Sequence, residues 1–202
     1  MQTESVAEAI MLQAKSLPEG EPLFAKQLLG LGTRAGIDQA LSRLARSGAL
    51  LRVGRGIYAR PVESRFGTRP PETEKLVEAF AHARGETVAS HGAAAANALG
   101  LTTQVPTRSV FLTSGRSRTL SLGKLTVELQ HAPSWQLTLA GKPGGQIVRA
   151  LAWLGPQGAQ HAAAPVHVVG VAVVGGVHRH DRTELGQVLH RHVQRVEARV
   201  RG

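Results

Sequence analysis

"TRAGIDQALSRLARSGALLRVGRGIYARP" occupies Thr33 to Pro61. Its first half has helical spacing: Ile37, Ala40, Leu41 and Leu44 recur at three- and four-residue intervals. Thr33 stands where an N-cap belongs and Gly48 where such a helix ends, so the spacing predicts a helix from Thr33 to about Ser47. Its second half reads as a hairpin. Leu50, Leu51 and Val53 suit one strand, Ile57 and Tyr58 the return, and Gly54 and Gly56 are expected to supply the positive φ of the turn. Arg55 then sits at the tip, where a charge suggests an anion beyond it.

Upstream, Val6, Ala9, Ile10 and Gln13 predict a helix from about Ser5 to Ser16. "LPEGEP" breaks it, and Pro22 is expected to open a short second helix through Leu28 or Leu29, followed by the turn "GLGT". The order helix, short helix, glycine turn, helix, arginine-tipped hairpin is the plan of a winged helix-turn-helix. The outer face of the third helix carries Thr33, Arg34, Gln39, Ser42, Arg43 and Arg46. A helix in the major groove needs such side chains: Gln pairs bidentately with adenine, and Arg reaches guanine or phosphate. Arg52 and Arg55 on the hairpin suit a neighbouring phosphate or a narrow minor groove. These eight residues are the candidate DNA-binding set. Asp38 either pairs with Arg34 one turn earlier or favours the positive helix end. A helical protein–protein module with a solvated arginine face is the other reading of this pattern.

The bulk numbers agree with an anionic partner. The 202 residues carry a formal charge of +10. From Arg34 to Arg65 seven basic side chains face only Asp38 and Glu63, an uneven distribution that favours nucleic acid. There is no cysteine, which excludes disulfides, thiol nucleophiles and thiolate metal sites. The opening "MQTESVAEAI" shows no signal-peptide pattern, and the most apolar run, "APVHVVGVAVVGGV", is too short to span a bilayer. A cytoplasmic protein with no membrane partner is expected.

"PVESRFGTRPPE" reads as a linker. The expected division is residues 1–60 as the winged helix-turn-helix, 61–71 as the linker and 72–202 as a second, α+β domain. In that domain "ETEKLVEAFAHARG" predicts a helix ending at Gly85, and "ETVASHGAAAANALGL" an extended piece and an alanine-rich helix from about His91 to Leu99. "TRSVFLTSG", "RTLSLG" and "LTVELQHA" predict three strands of a small antiparallel sheet, turning at Ser114-Gly115 and Gly123-Lys124. "GKPGGQIVRALAWLG" predicts a turn and then a helix with Ile147, Ala150, Leu151 and Leu154 on one face.

Catalytic patterns are missing. "GKPGG" lacks the Lys-Ser/Thr ending of a phosphate loop. Ser90-His91 has no third partner, and His91 reads as a helix-start or satisfied structural histidine. His178, His180, His190 and His192 form two His-x-His pairs, yet residues two apart on a helix do not face one another. The expectation is no catalytic residue, no metal and no cofactor. Asp181 and Glu184 read as the capping pair of a terminal helix.

Preceded by Ser90-His91, "GAAAANALGLTTQVPTRSVFLTSGRSRTLSLGKLTVEL" closely resembles the signature of AbiEi-type antitoxins of type IV, abortive-infection toxin–antitoxin modules. The Thr33–Pro61 stretch and "FGTRPP" resemble the same family, so the likeness runs from about Gln27 to Leu154. It implies a winged helix that binds inverted repeats in promoter DNA and represses its own operon. It also implies a C-terminal domain that counters a toxin with a nucleotidyltransferase fold and is not itself an enzyme. Transferred to this chain, the DNA helix is Thr33 to Ser47 and the wing Leu50 to Ala59. Beyond about Gln157 the family implies more helix, whereas the valine run there reads as a strand or a divergent segment. The alternative function is a plain winged-helix regulator whose second domain self-associates or senses a ligand. A nucleic-acid enzyme lacks the constellations it would need.

Overall fold

Ser5 and Glu8 start the first helix. The Ser5 hydroxyl accepts from the Glu8 N–H and the Glu8 carboxylate from the Ser5 N–H, a reciprocal capping box that opens α1 (Val6–Ser16). Hydrogen bonding to Ser5, first from its backbone N–H and then from its side chain, lowers the pKa of the Glu8 carboxyl. The computed structural model describes residues 5–65 and 67–174, and side chains through residue 158. It is α+β. The chain forms two compact units, Met1–Glu86 with Arg118–Glu128, and Thr87–Ser117 with Leu129–Gly202.

In the first unit, α1 is followed by strand β1 (Leu23–Phe24), a 3₁₀ helix (Ala25–Leu31) and α2 (Arg34–Arg46). Leu23 and Phe24 are not the start of a helix, as Pro22 suggested. They pair with Tyr58 and Ile57, so their backbone groups are satisfied across a sheet and the helical turn begins only at Ala25. Thr33 caps α2, its hydroxyl accepting from the Gly36 N–H at 3.2 Å, and Gly48 (φ 78°) follows the helix end.

Strands β2 (Leu51–Gly54) and β3 (Ile57–Ala59) form the hairpin, and β1, β3 and β2 lie in that order in one antiparallel sheet. Of the two turn glycines only Gly56 has positive φ (68°). At Gly54 the pairing register shifts instead, leaving Val53 buried. Ile10, Leu23, Leu28, Ile37, Leu41, Leu50 and Tyr58 pack as one core beneath these elements. Each such side chain contributes about 1.5–3 kcal/mol on burial.

The segment read as a linker is structured. β4 (Val62–Ser64) and β5 (Gly67–Arg69) pair antiparallel, with the Ser64 hydroxyl donating to the Gly67 carbonyl. This hairpin and α3 (Thr73–His82) fall in the first unit with residues 118–128, so the compact units do not part at 61–71. Glu19 explains part of this. Its carboxylate accepts from Arg69 and from the Glu72 N–H and faces Lys75, while Gly20 lies against the Lys75–Leu76 backbone.

The remaining strands are β6 (Val88–Ser90), β7 (Ser109–Thr113), β8 (Arg118–Leu122) and β9 (Leu125–His131), in the sheet order β6-β7-β9-β8. β8 packs beside β2 in the first unit. In the second unit α4 (Gly92–Ala98) begins at His91, whose Nδ1 accepts from the Ala93 N–H at 3.2 Å. Sequence spacing did not mark the short α5 (Ser134–Leu137). α6 (Pro143–Val174) opens on a proline, suited to the first helical position, and breaks at Gly155 (φ 69°). The valine run to Val174 is therefore helix, not strand. α4 and α6 pack closely around Ala95, Ala96 and Ala150. Gly92 permits this approach: a Cβ there would lie 2.5 Å from the Arg149 carbonyl oxygen and from Trp153 Cβ. Arg149 itself is buried, its guanidinium donating to the Gln136 and Ala140 carbonyls, and burial lowers its pKa. The four late histidines and the Asp181–Glu184 pair lie outside the described residues.

Candidate nucleic-acid interface

The amphipathic pattern of α2 divides its surface in two. Ile37, Ala40 and Leu41 are buried, and the polar positions face outward. At about 100° per residue, Arg34, Asp38 and Ser42 form one stripe and Gln39, Arg43 and Arg46 another.

The first stripe lines a groove of about 640 Å³ with the hairpin. Lys26, Arg34, Arg52, Arg55 and Arg84 stand around it, with Asp38 as the acid among the lining residues. Phe24, Ala25, Gly56, Ile57 and Tyr58 complete the lining. The Ala25 N–H donates to the Gly56 carbonyl at 2.9 Å, tying the 3₁₀ helix to the hairpin turn. Lys26 Nζ is 5.9 Å from the Phe24 ring centroid.

Of the eight residues singled out in the sequence, the groove brings together Arg34, Ser42, Arg52 and Arg55. Gln39, Arg43 and Arg46 lie on the adjacent exposed stripe, outside the groove lining. Thr33 is engaged in capping α2. The Arg34 Nε–H donates to Asp38 at 3.0 Å, and Arg46 Nη2 donates to the Ser42 hydroxyl at 3.2 Å. Both contacts hold long side chains over the helix surface.

Lys26 and Arg84 were not on that list. Lys26 sits on the 3₁₀ helix, and Arg84 follows α3, far along the chain from the hairpin. No local periodicity marks either, because the groove exists only once β1 has paired with β3.

The Ser-Gly-x-Ser-Arg run forms a shallower concavity of about 440 Å³, lined by Ser114, Gly115, Arg116, Ser117 and His131. Its groups mainly hold one another. His131 Nδ1 lies 2.8 Å from the Gly115 carbonyl, and the His131 N–H donates to the Ser117 hydroxyl. Among the described residues no three His, Asp or Glu side chains are grouped to hold a metal. Among them, too, no helix is long and apolar enough to cross a membrane.

Residues 8–167 match the model of DUF6088, a family of unknown function. The chain belongs to that family. No curated protein and no solved structure matches it. The DUF6088 match spans all but the start of α1, the basic groove and most of the second unit, so the surface described above lies within the region the family model covers.

Proposed function

We propose that this DUF6088 protein is a winged-helix DNA-binding protein acting as the autorepressing antitoxin of a type IV toxin–antitoxin module. The observation that carries the DNA-binding part is the groove between α2 and the β2–β3 hairpin, where five cationic side chains stand against one acid. A duplex backbone is the extended polyanion that such a surface fits. The element order α1, β1, 3₁₀ helix, α2, β2, β3 and the sheet order β1-β3-β2 support the winged-helix reading. In that reading α2 enters the major groove with Gln39, Arg43 and Arg46, and the hairpin is the wing. The antitoxin part is supported by the sequence resemblance from about Gln27 to Leu154. It gives the chain two partners, promoter DNA with inverted repeats and a nucleotidyltransferase-like toxin. In this reading the protein works in the cytoplasm and carries out no chemical step.

Two experiments test the proposal. Nuclease footprinting on the DNA upstream of its own coding sequence is expected to protect an inverted repeat; an unprotected region contradicts autorepression. Co-expression with a neighbouring nucleotidyltransferase gene is expected to restore growth. Protection of DNA without rescue of growth would leave a plain regulator in place of an antitoxin.

A further inference from the structure

We infer that Arg84 is a phosphate contact of the same DNA-binding surface, contributed from beyond the hairpin and held in place by Glu86. The inference rests on the DNA-binding reading above and extends it to a residue outside the helix and wing.

Arg84 lines the groove with Arg34, Arg52 and Arg55. Its Nε–H donates to Glu86 Oε1 at 3.1 Å, and its guanidinium carbon lies 5.5 Å from the Phe80 ring centroid. Arg118 meets the same two groups, with Nη2 2.8 Å from Glu86 Oε1 and its guanidinium carbon 5.4 Å from the Phe80 centroid. The two arginines differ in exposure. The Arg118 side chain is 19% exposed and the Arg84 side chain 44%. Arg118 therefore serves the packing around Phe80. Arg84 is anchored through Nε and the ring face, which leaves its two terminal nitrogens to the groove. A guanidinium fixed at one edge and open at the other suits a phosphate, since its orientation is set before binding. Phe80 is itself stacked on Phe24, whose neighbours Ala25 and Lys26 line the groove, so the anchor belongs to the same wall. Glu86 acts through Arg84 and is a positioning residue.

The test is the salt dependence of duplex affinity, read by fluorescence anisotropy on the upstream DNA and on a scrambled duplex of equal length. Arg84→Ala and Arg84→Gln are expected to weaken both complexes alike and to lower the log–log salt slope by about one unit, the signature of one lost phosphate contact. Arg84→Lys keeps the slope, as does Lys15→Ala, an exposed cation at the end of α1. Glu86→Gln separates positioning from bulk charge. Removal of an acid strengthens binding if only net charge matters, and weakens it with the loss of slope seen for Arg84→Ala if Glu86 aims Arg84. The double variant then adds nothing further. Thermal unfolding shows that each variant is folded. An unchanged slope in Arg84→Ala and Arg84→Gln, alongside a reduced one in Arg55→Ala, overturns the inference and leaves the DNA-binding reading intact. A wild-type chain that binds neither duplex overturns both. Tighter binding by Glu86→Gln overturns the positioning role.

Discussion

Arg34 Nε lies 3.0 Å from Asp38 Oδ2, one turn apart on the face of α2 that lines the groove. Both side chains are more than half exposed. An exposed pair at this spacing contributes only about 0.3–0.5 kcal/mol to stability. Asp38 matters more as the acid among five cations. Asp38→Asn is expected to leave the melting temperature nearly unchanged and to tighten duplex binding at low salt. Anisotropy titrations beside thermal melts check this. Weaker binding would mean that Asp38 serves chiefly to orient Arg34.

The second stripe of α2 is predicted to carry base preference. Gln39→Ala should narrow the gap between the upstream DNA and a scrambled duplex by about 1–3 kcal/mol, the loss of one bidentate base contact. Arg43→Ala and Arg46→Ala should each weaken binding. Competition titrations on both duplexes decide it. Unchanged affinity and preference in all three variants would remove α2 as the reading helix.

His91 predicts a pH effect on the second unit. Its Nδ1 accepts a hydrogen bond at the start of α4, and burial holds its pKa below the ordinary 6.5. The folded state therefore keeps the ring neutral while the unfolded chain takes up a proton near pH 6.5. The stability this contributes is complete above pH 6.5, declines as pH falls, and stops declining below the folded pKa. His91→Asn keeps a capping acceptor and removes the titration, so its melting temperature should fall less than that of the wild type between pH 7 and pH 5. His91→Ala should lose about 1 kcal/mol at neutral pH. Parallel curves for wild type and His91→Asn would contradict the assignment.

Gly92→Val is expected to destabilise by about 1–3 kcal/mol or more, since Cβ alone would meet the Arg149 carbonyl and Trp153 at 2.5 Å. Gly92 lies in the second unit. Duplex affinity measured well below the melting temperature should therefore stay at the wild-type value. A parallel loss of DNA binding would tie the groove to α4.

Elements whose cues are local were legible in the sequence. The spacing of Val6, Ala9, Ile10 and Gln13, Thr33 with Gly48, and His91 with the alanine run each announced a helix, and the structure places α1, α2 and α4 there. Strand–turn alternation likewise located β7, β8 and β9. What failed depended on distant partners. Leu23-Phe24 is a strand only because Tyr58 and Ile57 lie alongside. The proline-rich stretch is a hairpin because Gly67, at φ 107°, turns it back on Ser64, and Glu19 gathers Arg69 and Lys75 some fifty residues away. At the candidate site the hairpin arginines were visible from Gly-Arg-Gly. Lys26 and Arg84 were not, because their place in the groove is set by tertiary packing around Phe24 and Phe80.

The most direct test of the central claim is the salt dependence of wild-type affinity for duplex DNA. Lys26, Arg34, Arg52, Arg55 and Arg84 line the groove, and Arg43 and Arg46 flank it. With about 0.9 counterion released per neutralised phosphate, the log–log slope should lie between about −4.5 and −6. A slope near zero, or no binding to duplex at low salt, would contradict the claim that this groove holds DNA.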